Sequence, residues 1–368
     1  MDHIANRKMS EAVEALRKAM ATDSTHVESY INLGFIYYSN GLLEQAAALY
    51  ARALHFEPEN AMAHNNIGAA LLAAGDVKRA VQEYQLALKY KPDYPEAHNN
   101  MAYALYSVGA NDLAIKSAEK AIELKPDYAR AYNNLGMAYN AKGQHEQAEQ
   151  HFKKAIELDD DLIIAINNLG ITYRFQGKFD ESIAQHQKAV ALDTLNIESY
   201  NSLGLAYMNK GDLENAIKWF KKALAIAPTY AIAHNNLSYV YYETLNYSLA
   251  MQHAKTAERH GLKMTAQYMS DLEKALEPEY LRARHILIKT QAAADAIIAE
   301  FNQGASFAKL ALEKSIDENT ASKGGDLGYF KKGDMMPEFE QAILSTQVGK
   351  VSRVVKTELG FHIFQRLK

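Results

Sequence analysis

The sequence predicts a multidomain chain: an all-α superhelix of stacked helical hairpins, then a small α+β domain. Three observations carry that reading. A phrase close to NNLG recurs every 34 residues, ending at Gly34, Gly68, Ala102, Gly136, Gly170, Gly204 and Ser238. Two further small-residue columns keep the register: Ala46, Ala80, Ala114, Ala148, Ser182, Ala216 and Ala250, then Ala53, Ala87, Ala121, Ala155, Ala189, Ala223 and Ala257. After Pro278 the register vanishes and segments rich in β-branched residues begin.

Composition narrows the class. Of 368 residues, 48% are apolar and 23% charged, which excludes wholesale disorder. No run of eighteen apolar residues occurs, and MDHIANRKMS has no apolar core, so neither membrane insertion nor a signal peptide is expected. Cysteine is absent, which removes disulfides, thiolate metal sites and a thiol nucleophile. A net charge of −4 is too balanced to argue for nucleic acid. No HExxH or comparable ligand spacing is present, so neither a metal nor a cofactor is expected.

Residues 9–24 carry Ala12 and Ala19, one period before Ala46 and Ala53, and read as the second helix of a half repeat. Residues 1–26 therefore form an N-terminal cap or, alternatively, an open edge for self-association. Seven full repeats follow over 27–264. In each, a small residue within the first helix implies close helix crossing. A glycine then ends that helix in a left-handed turn, at Gly41, Gly75, Gly109, Gly143, Gly177 and Gly211, with Leu245 the exception. Proline at Pro58, Pro92, Pro126 and Pro228 ends the second helix. Residues 265–280 hold a capping helix that doubles as linker. His64, His98 and His234 share a column with Tyr30, Tyr132 and Tyr200 and read as packing aromatics.

With four columns in register, this array resembles the tetratricopeptide repeat. The resemblance places the first helix of each hairpin on a concave face. Asparagine fills two adjacent columns there: Asn65, Asn99, Asn133, Asn167, Asn201 and Asn235, then Asn32, Asn66, Asn100, Asn134, Asn168 and Asn236, with Ile31 and Ser202 as exceptions. An amide donates and accepts at once, so the second column could hold the backbone of an extended client without reading its side chains. This is similar to the asparagine ladder of O-GlcNAc transferases. The same amides could instead bridge neighbouring helices. None of these slots is basic, which argues against a clamp for a terminal carboxylate.

Within 281–368, ARHILIK alternates as a strand, and AAADAIIAEFNQG and ASFAKLALEKS read as short helices. KGGDLGYF bends into a strand, PEFEQAILS is a helix opened by Pro337, and KVSRVVKT and GFHIFQRL close the chain as two strands. The expected product is a small antiparallel sheet with helices packed on it. RHILIK, GASFAKLALEKS, GGDLGYF, GDMMPEFEQAI, VGKVS and TELGFHI, in this order, resemble the parvulin family of peptidyl-prolyl isomerases. The resemblance implies catalytic roles for His285, Asp317, Thr357 and His362. It implies a proline-binding cup at Leu327, Phe330, Met335 and Phe339. Lys289 runs directly into TQAAADAII without a basic cluster, so a phosphate requirement is not expected.

These readings converge on a folding helper: an array that gathers proline-containing segments of unfolded or extended clients for an attached isomerase. The alternative is a non-catalytic scaffold or holdase whose last domain only binds proline-containing segments. The chain would be cytoplasmic from the lack of a signal, or periplasmic if the natural N-terminus is missing.

Overall fold

The computed structural model describes residues 2–368, with side chains from residue 9 onward, so the expectation for Met1 lies outside the described residues. The chain forms two compact units, Met1–Lys210 and Gly211–Lys368. Their boundary falls inside the sixth repeat, between its helices Ile197–Lys210 and Leu213–Ile226. Compactness thus does not break at the expected linker over 265–280; the seventh repeat shares a unit with the C-terminal domain. Among the described residues, no helix is long and apolar enough to cross a membrane.

The first unit opens with helix Asp2–Thr22 and continues as hairpins such as Val27–Ser39 with Leu43–Phe56 and Ala61–Ala73 with Val77–Tyr90. The turn glycines have φ between +74° and +88°, the left-handed region that costs an L side chain about 1–2 kcal/mol. Leu245 holds the same place in the seventh repeat at φ +62°. Leu245→Gly should therefore raise unfolding free energy by about 0.5–1 kcal/mol, measured by denaturant titration. An unchanged midpoint would show that the leucine side chain offsets its own strain.

Close crossing has a specific cause in these hairpins. A Cβ added at Gly34, Gly68 or Gly136 would lie 2.5, 2.6 or 2.8 Å from the ring of Tyr50, Tyr84 or Phe152 on the partner helix. All three rings are fully buried. Where the first helix carries Ala102 or Ser238 instead, the facing column holds Ala118 or Ala254. Each hairpin thus trades one methyl on the first helix against a whole ring on the second.

The histidine column does more than pack. His64, His98 and His234 each hydrogen-bond through Nε2, at 3.0 Å, to the carbonyl of the proline six residues earlier. Tyr30 donates likewise to the Ser24 carbonyl at 3.0 Å. These side chains fasten four of the hairpins to the loops that enter them, while His64 also packs on Tyr90 and His234 on His253 as aromatics.

In the second unit, helices Ala231–Glu243, Tyr247–Arg259 and Ala266–Leu276 precede the α+β domain. That domain runs β1 (Tyr280–Ile288), α1 (Gln291–Asn302), α2 (Phe307–Lys314), β2 (Asp326–Lys331), α3 (Pro337–Leu344), β3 (Val355–Thr357) and β4 (Gly360–Arg366). Thr290 and Ser306 cap α1 and α2 by accepting backbone N–H bonds, and Pro337 sits at the first turn of α3. The strands form one antiparallel sheet ordered β2-β1-β4-β3.

Alternation along the strands gives the sheet two apolar faces. Ile286 and Ile363 pack with Ala294, Ile297, Phe307 and Leu310 of α1 and α2. Leu281, Ala283, Phe330 and Phe364 pack with Ala342 and Ile343 of α3. One strand is shorter than expected. KVSRVVKT pairs only over Val355–Thr357, plus an isolated bridge at Val351. Ser352 interrupts it: its hydroxyl, rather than a carbonyl, accepts the Phe364 N–H at 3.0 Å.

Candidate active site

Strand register brings the two histidines together. His285 on β1 pairs with Phe364 on β4, and Leu287 pairs with His362, so both imidazoles project from one sheet face. His285 Nε2 lies 2.8 Å from His362 Nδ1, with the rings stacked at 5.0 Å and 14°. Thr357, on the neighbouring β3, places its hydroxyl 2.6 Å from His362 Nε2.

Asp317 arrives by a different route. Past Arg284, the loop after α2 lies against β1: Ile316 N–H donates to the Leu287 carbonyl at 2.9 Å, and Leu287 N–H donates to Ser315 Oγ at 3.2 Å. This leaves Asp317 Oδ2 3.2 Å from His285 Nδ1. The same carboxylate accepts from the Thr320 hydroxyl at 2.5 Å and the Asn319 N–H at 3.2 Å. The GGDLG bend closes the other side. Gly325 has φ +79° and its carbonyl accepts the His285 N–H at 2.8 Å; a Cβ there would meet the His285 carbonyl at 2.4 Å, so glycine is required.

The donors and acceptors then fall into one direction. A carboxylate only accepts, so His285 Nδ1 carries a proton and, in a neutral ring, Nε2 is bare. His362 Nδ1 must donate to it, which leaves His362 Nε2 to accept the Thr357 hydroxyl proton. Thr357 Oγ1 in turn accepts the Leu359 N–H at 3.2 Å. Burial holds the His285 imidazole below the ordinary histidine value against the opposing pull of Asp317. Burial, then the neighbouring His285, pushes His362 down to about 4. For Asp317, burial pushes the carboxyl up, but hydrogen bonds from Thr320, Asn319 and His285 outweigh it and hold the group below its usual value. At neutral pH the site is thus two neutral imidazoles polarised toward one carboxylate.

The four apolar residues expected to form the proline-binding cup adjoin this network. Leu327, Met335 and Phe339 are half-buried around the fully packed Phe330, in the cluster that also holds Phe364. Phe339 lies 4.7 Å from the His362 ring and 4.9 Å from Phe364, so cup and imidazoles share a wall. All eight residues that the resemblance implied therefore meet on one side of the sheet. Ser315, Thr320 and Phe364 escaped the sequence reading. Phe364 was two residues beyond His362 on the same strand face, and Thr320 followed Asp317 at capping distance, signals that existed but were not distinctive.

The asparagine columns divide. Asn100 Nδ2 donates to Asn65 Oδ1 at 3.0 Å, Asn134 to Asn99 Oδ1 at 2.9 Å, and Asn168 to Asn133 Oδ1 at 2.9 Å. These three second-column amides bridge back to the first-column amide of the preceding repeat. Asn134 and Asn236 are only 8% exposed. Asn100, Asn134 and Asn168 thus each spend one amide hydrogen on a neighbouring repeat, and Asn134 and Asn236 offer little surface to a client. At Ser202 the bridging donor is missing, and His186 takes its place by lying 3.0 Å from Asn167 Oδ1, while Asn167 donates to Ser199 at 2.7 Å. Burial pushes the His186 imidazole down to about 3, so it stays neutral.

At the start of the array Ile31 removes the acceptor that Asn66 would use. Here Asn32, Asn66 and Asn100 line an open cavity of about 480 Å³ with Phe35, Met62, Tyr94, Tyr128 and Arg130. Phe35 and Met62 are 59% and 52% exposed, an apolar floor beside the amides.

The family model of the PPIC-type PPIase domain matches residues 268–367, the stretch that carries the imidazole pair, the carboxylate and the apolar cluster beside them. Tetratricopeptide repeat models match 3–67, 70–109, 93–161, 127–195 and 206–244, so the chain is a tetratricopeptide array carrying such a domain. It is 41% identical over 109 residues to the foldase protein PrsA of Geobacillus sp., covering 30% of this chain and 39% of that protein. It is likewise 41% identical over 93 residues to a parvulin-like PPIase of Rickettsia prowazekii, covering 24% and 33%. The chain thus spans about two fifths or less of these relatives' own length. A solved structure titled APC/C hetero-tetramer Cut9-Hcn1 shares the fold, with TM-score 0.60 at 19% identity, over 73% of this chain and 53% of that one.

Proposed function

We propose that the chain is a peptidyl-prolyl cis-trans isomerase that acts as a folding helper, its array gathering extended clients. The observation that carries this is the contact between Phe339 of the cup and His362 of the imidazole network, 4.7 Å between ring centroids. Rotation about an X-Pro bond meets a barrier of about 18–20 kcal/mol because amide resonance is lost. A twisted amide has a weaker carbonyl dipole than a planar one and is less costly to desolvate. The cup of Leu327, Met335 and Phe339 would grip the pyrrolidine ring, so that the preceding carbonyl swings across the face bearing Asp317. A fixed carboxylate is less unfavourable beside a carbonyl that has lost its resonance charge, which favours the transition state over either planar ground state. No bond is made or broken and no proton has to move; the imidazoles keep the carboxylate oriented.

β1 ends at Ile288 and α1 begins at Gln291, leaving two residues between them, too few for a phosphate-binding loop. Selection for phosphoserine before proline is therefore not expected. Clients would enter the groove of repeats one to three, where Asn32, Asn66 and Asn100 can meet peptide groups and Phe35 and Met62 can meet apolar side chains. Holding a client there raises its concentration at the isomerase. The test compares a carboxymethylated, permanently unfolded protein with an Ala-Pro tetrapeptide. Replacing Asn32, Asn66 and Asn100 together by alanine should weaken capture of the long client about tenfold, one to two net hydrogen bonds, with tetrapeptide turnover unchanged. Unaltered capture would exclude the groove as the client site.

A further inference from the structure

The seventh repeat spends its inner columns on its own chain. Tyr239, Tyr242 and Glu243 stand where Phe35, Tyr38 and Ser39 stand in the first repeat, and there Phe35 and Tyr38 line the open cavity. In the seventh repeat Tyr239 packs on Tyr268 at 4.4 Å between centroids, and Arg284 reaches Glu243 at 3.4 Å. The Tyr242 hydroxyl accepts from Arg282 Nη1 at 2.5 Å and meets the Tyr329 hydroxyl at 3.1 Å. The Arg282 guanidinium lies over both rings, 4.8 Å from one and 5.3 Å from the other. Tyr247 donates to the Leu367 carbonyl at 3.2 Å, and Lys368 Nζ donates to the Lys274 carbonyl at 2.6 Å.

From Arg282 the contacts lead into the site. Its guanidinium is ion-paired with Asp326, the two side chains being 11% and 24% exposed. Asp326 also accepts the Gly328 N–H at 2.9 Å and pairs in register with Arg284, just past the irregularity in the β1–β2 ladder. Both neighbours of Asp326 belong to the site: the Gly325 carbonyl holds the His285 N–H, and Leu327 forms part of the cup. A buried ion pair adds little net stability over an apolar filling, but the arginine fork fixes geometry.

We propose that the seventh repeat is the seat of the isomerase domain rather than a client-binding repeat, and that Arg282, held by Tyr242, is a positioning residue acting through Asp326 on the Gly325–Leu327 bend. This rests on the isomerase reading above. Tyr242 touches no catalytic group, yet it sets the arginine that sets the loop.

The experiment uses the full chain with Tyr242→Phe, Arg282→Lys and Arg282→Met. On an Ala-Pro tetrapeptide, Arg282→Met should lower kcat about tenfold with KM within twofold, and Tyr242→Phe about threefold. Arg282→Lys should fall between wild type and Arg282→Met, since it keeps the charge and loses the fork. Nitrogen-15 spectra of the His285 and His362 imidazoles should shift in Arg282→Met and Tyr242→Phe. A lowered melting temperature with kcat and both imidazole signals as in wild type would overturn the positioning role. If the wild type shows no isomerisation, the isomerase reading fails, and the imidazole spectra still decide the clamp: unchanged signals overturn it. Should Arg282→Met fail to fold, Tyr242→Phe, which removes one oxygen, decides the question by the same two readouts.

Discussion

Asp317→Ala is expected to lower kcat/KM for an Ala-Pro tetrapeptide by about 10- to 100-fold, read in a protease-coupled assay. The carboxylate is the terminus toward which every proton in the Thr357–His362–His285 series points, and it also takes bonds from Thr320 and Asn319. Hydrogen bonds to a charged acceptor contribute about 1.5–3 kcal/mol each, and each 1.4 kcal/mol in the barrier is tenfold in rate. With alanine, His285 Nδ1 loses its acceptor and the ring is free to change tautomer, which breaks the order of the whole series. The pH profile should carry the same signature. His285 is held below the ordinary histidine value, His362 gains a proton only as pH falls through about 4, and Asp317 only below the usual carboxylate value, so wild-type kcat/KM should be level from pH 8 through the ordinary histidine value and decline only below it. A decline centred near 6.5 would show that the imidazoles are not held neutral as described.

The second large effect lies in the array. Gly68→Ala drives a methyl into the Tyr84 ring, where the added carbon would sit 2.6 Å from Cε1. Overpacking of this kind costs about 1–3 kcal/mol. Tyr84→Ala opens a ring-sized void at a fully buried site and should cost about 3–5 kcal/mol. Together, the two changes reproduce the Ala102 and Ala118 pairing of the third repeat. The double variant should therefore be more stable than the sum of the single changes by at least 1 kcal/mol, a favourable coupling measured by a denaturant double-mutant cycle. Strict additivity would mean that the glycine and the ring do not share one space.

Much of this was legible beforehand because repetition turns packing into columns. A glycine at the same place in five of seven repeats states a steric rule that a single hairpin could not. The facing exchange at Ala118 and Ala254 was also visible, though its meaning needed the crossing geometry. What the asparagines do was not legible, because an amide satisfies a client or a neighbour with equal chemistry; only the fold shows that Asn100 reaches Asn65. The exceptions were informative in retrospect: Ser202 lacks the bridging amide, and one repeat earlier His186 occupies the ring column and bonds to the acceptor left over. That His362 and Phe364 share one face of the sheet was readable from strand alternation, since they are two apart. The seat of the isomerase domain was not, because Tyr242 and Arg282 are joined by tertiary contact alone and neither residue type announces it.

The central claim is that the cup beside His362 takes a proline ring and lets the preceding amide turn. Two-dimensional exchange NMR of an Ala-Pro tetrapeptide with a catalytic amount of the full chain tests it most directly. Uncatalysed exchange takes on the order of tens to hundreds of seconds, so cross-peaks between cis and trans signals are absent at mixing times below a second. They should appear with the wild-type chain and vanish with Phe339→Ala. Spectra without exchange peaks for the folded wild-type chain, or peaks of equal strength in the Phe339→Ala variant, would contradict the claim.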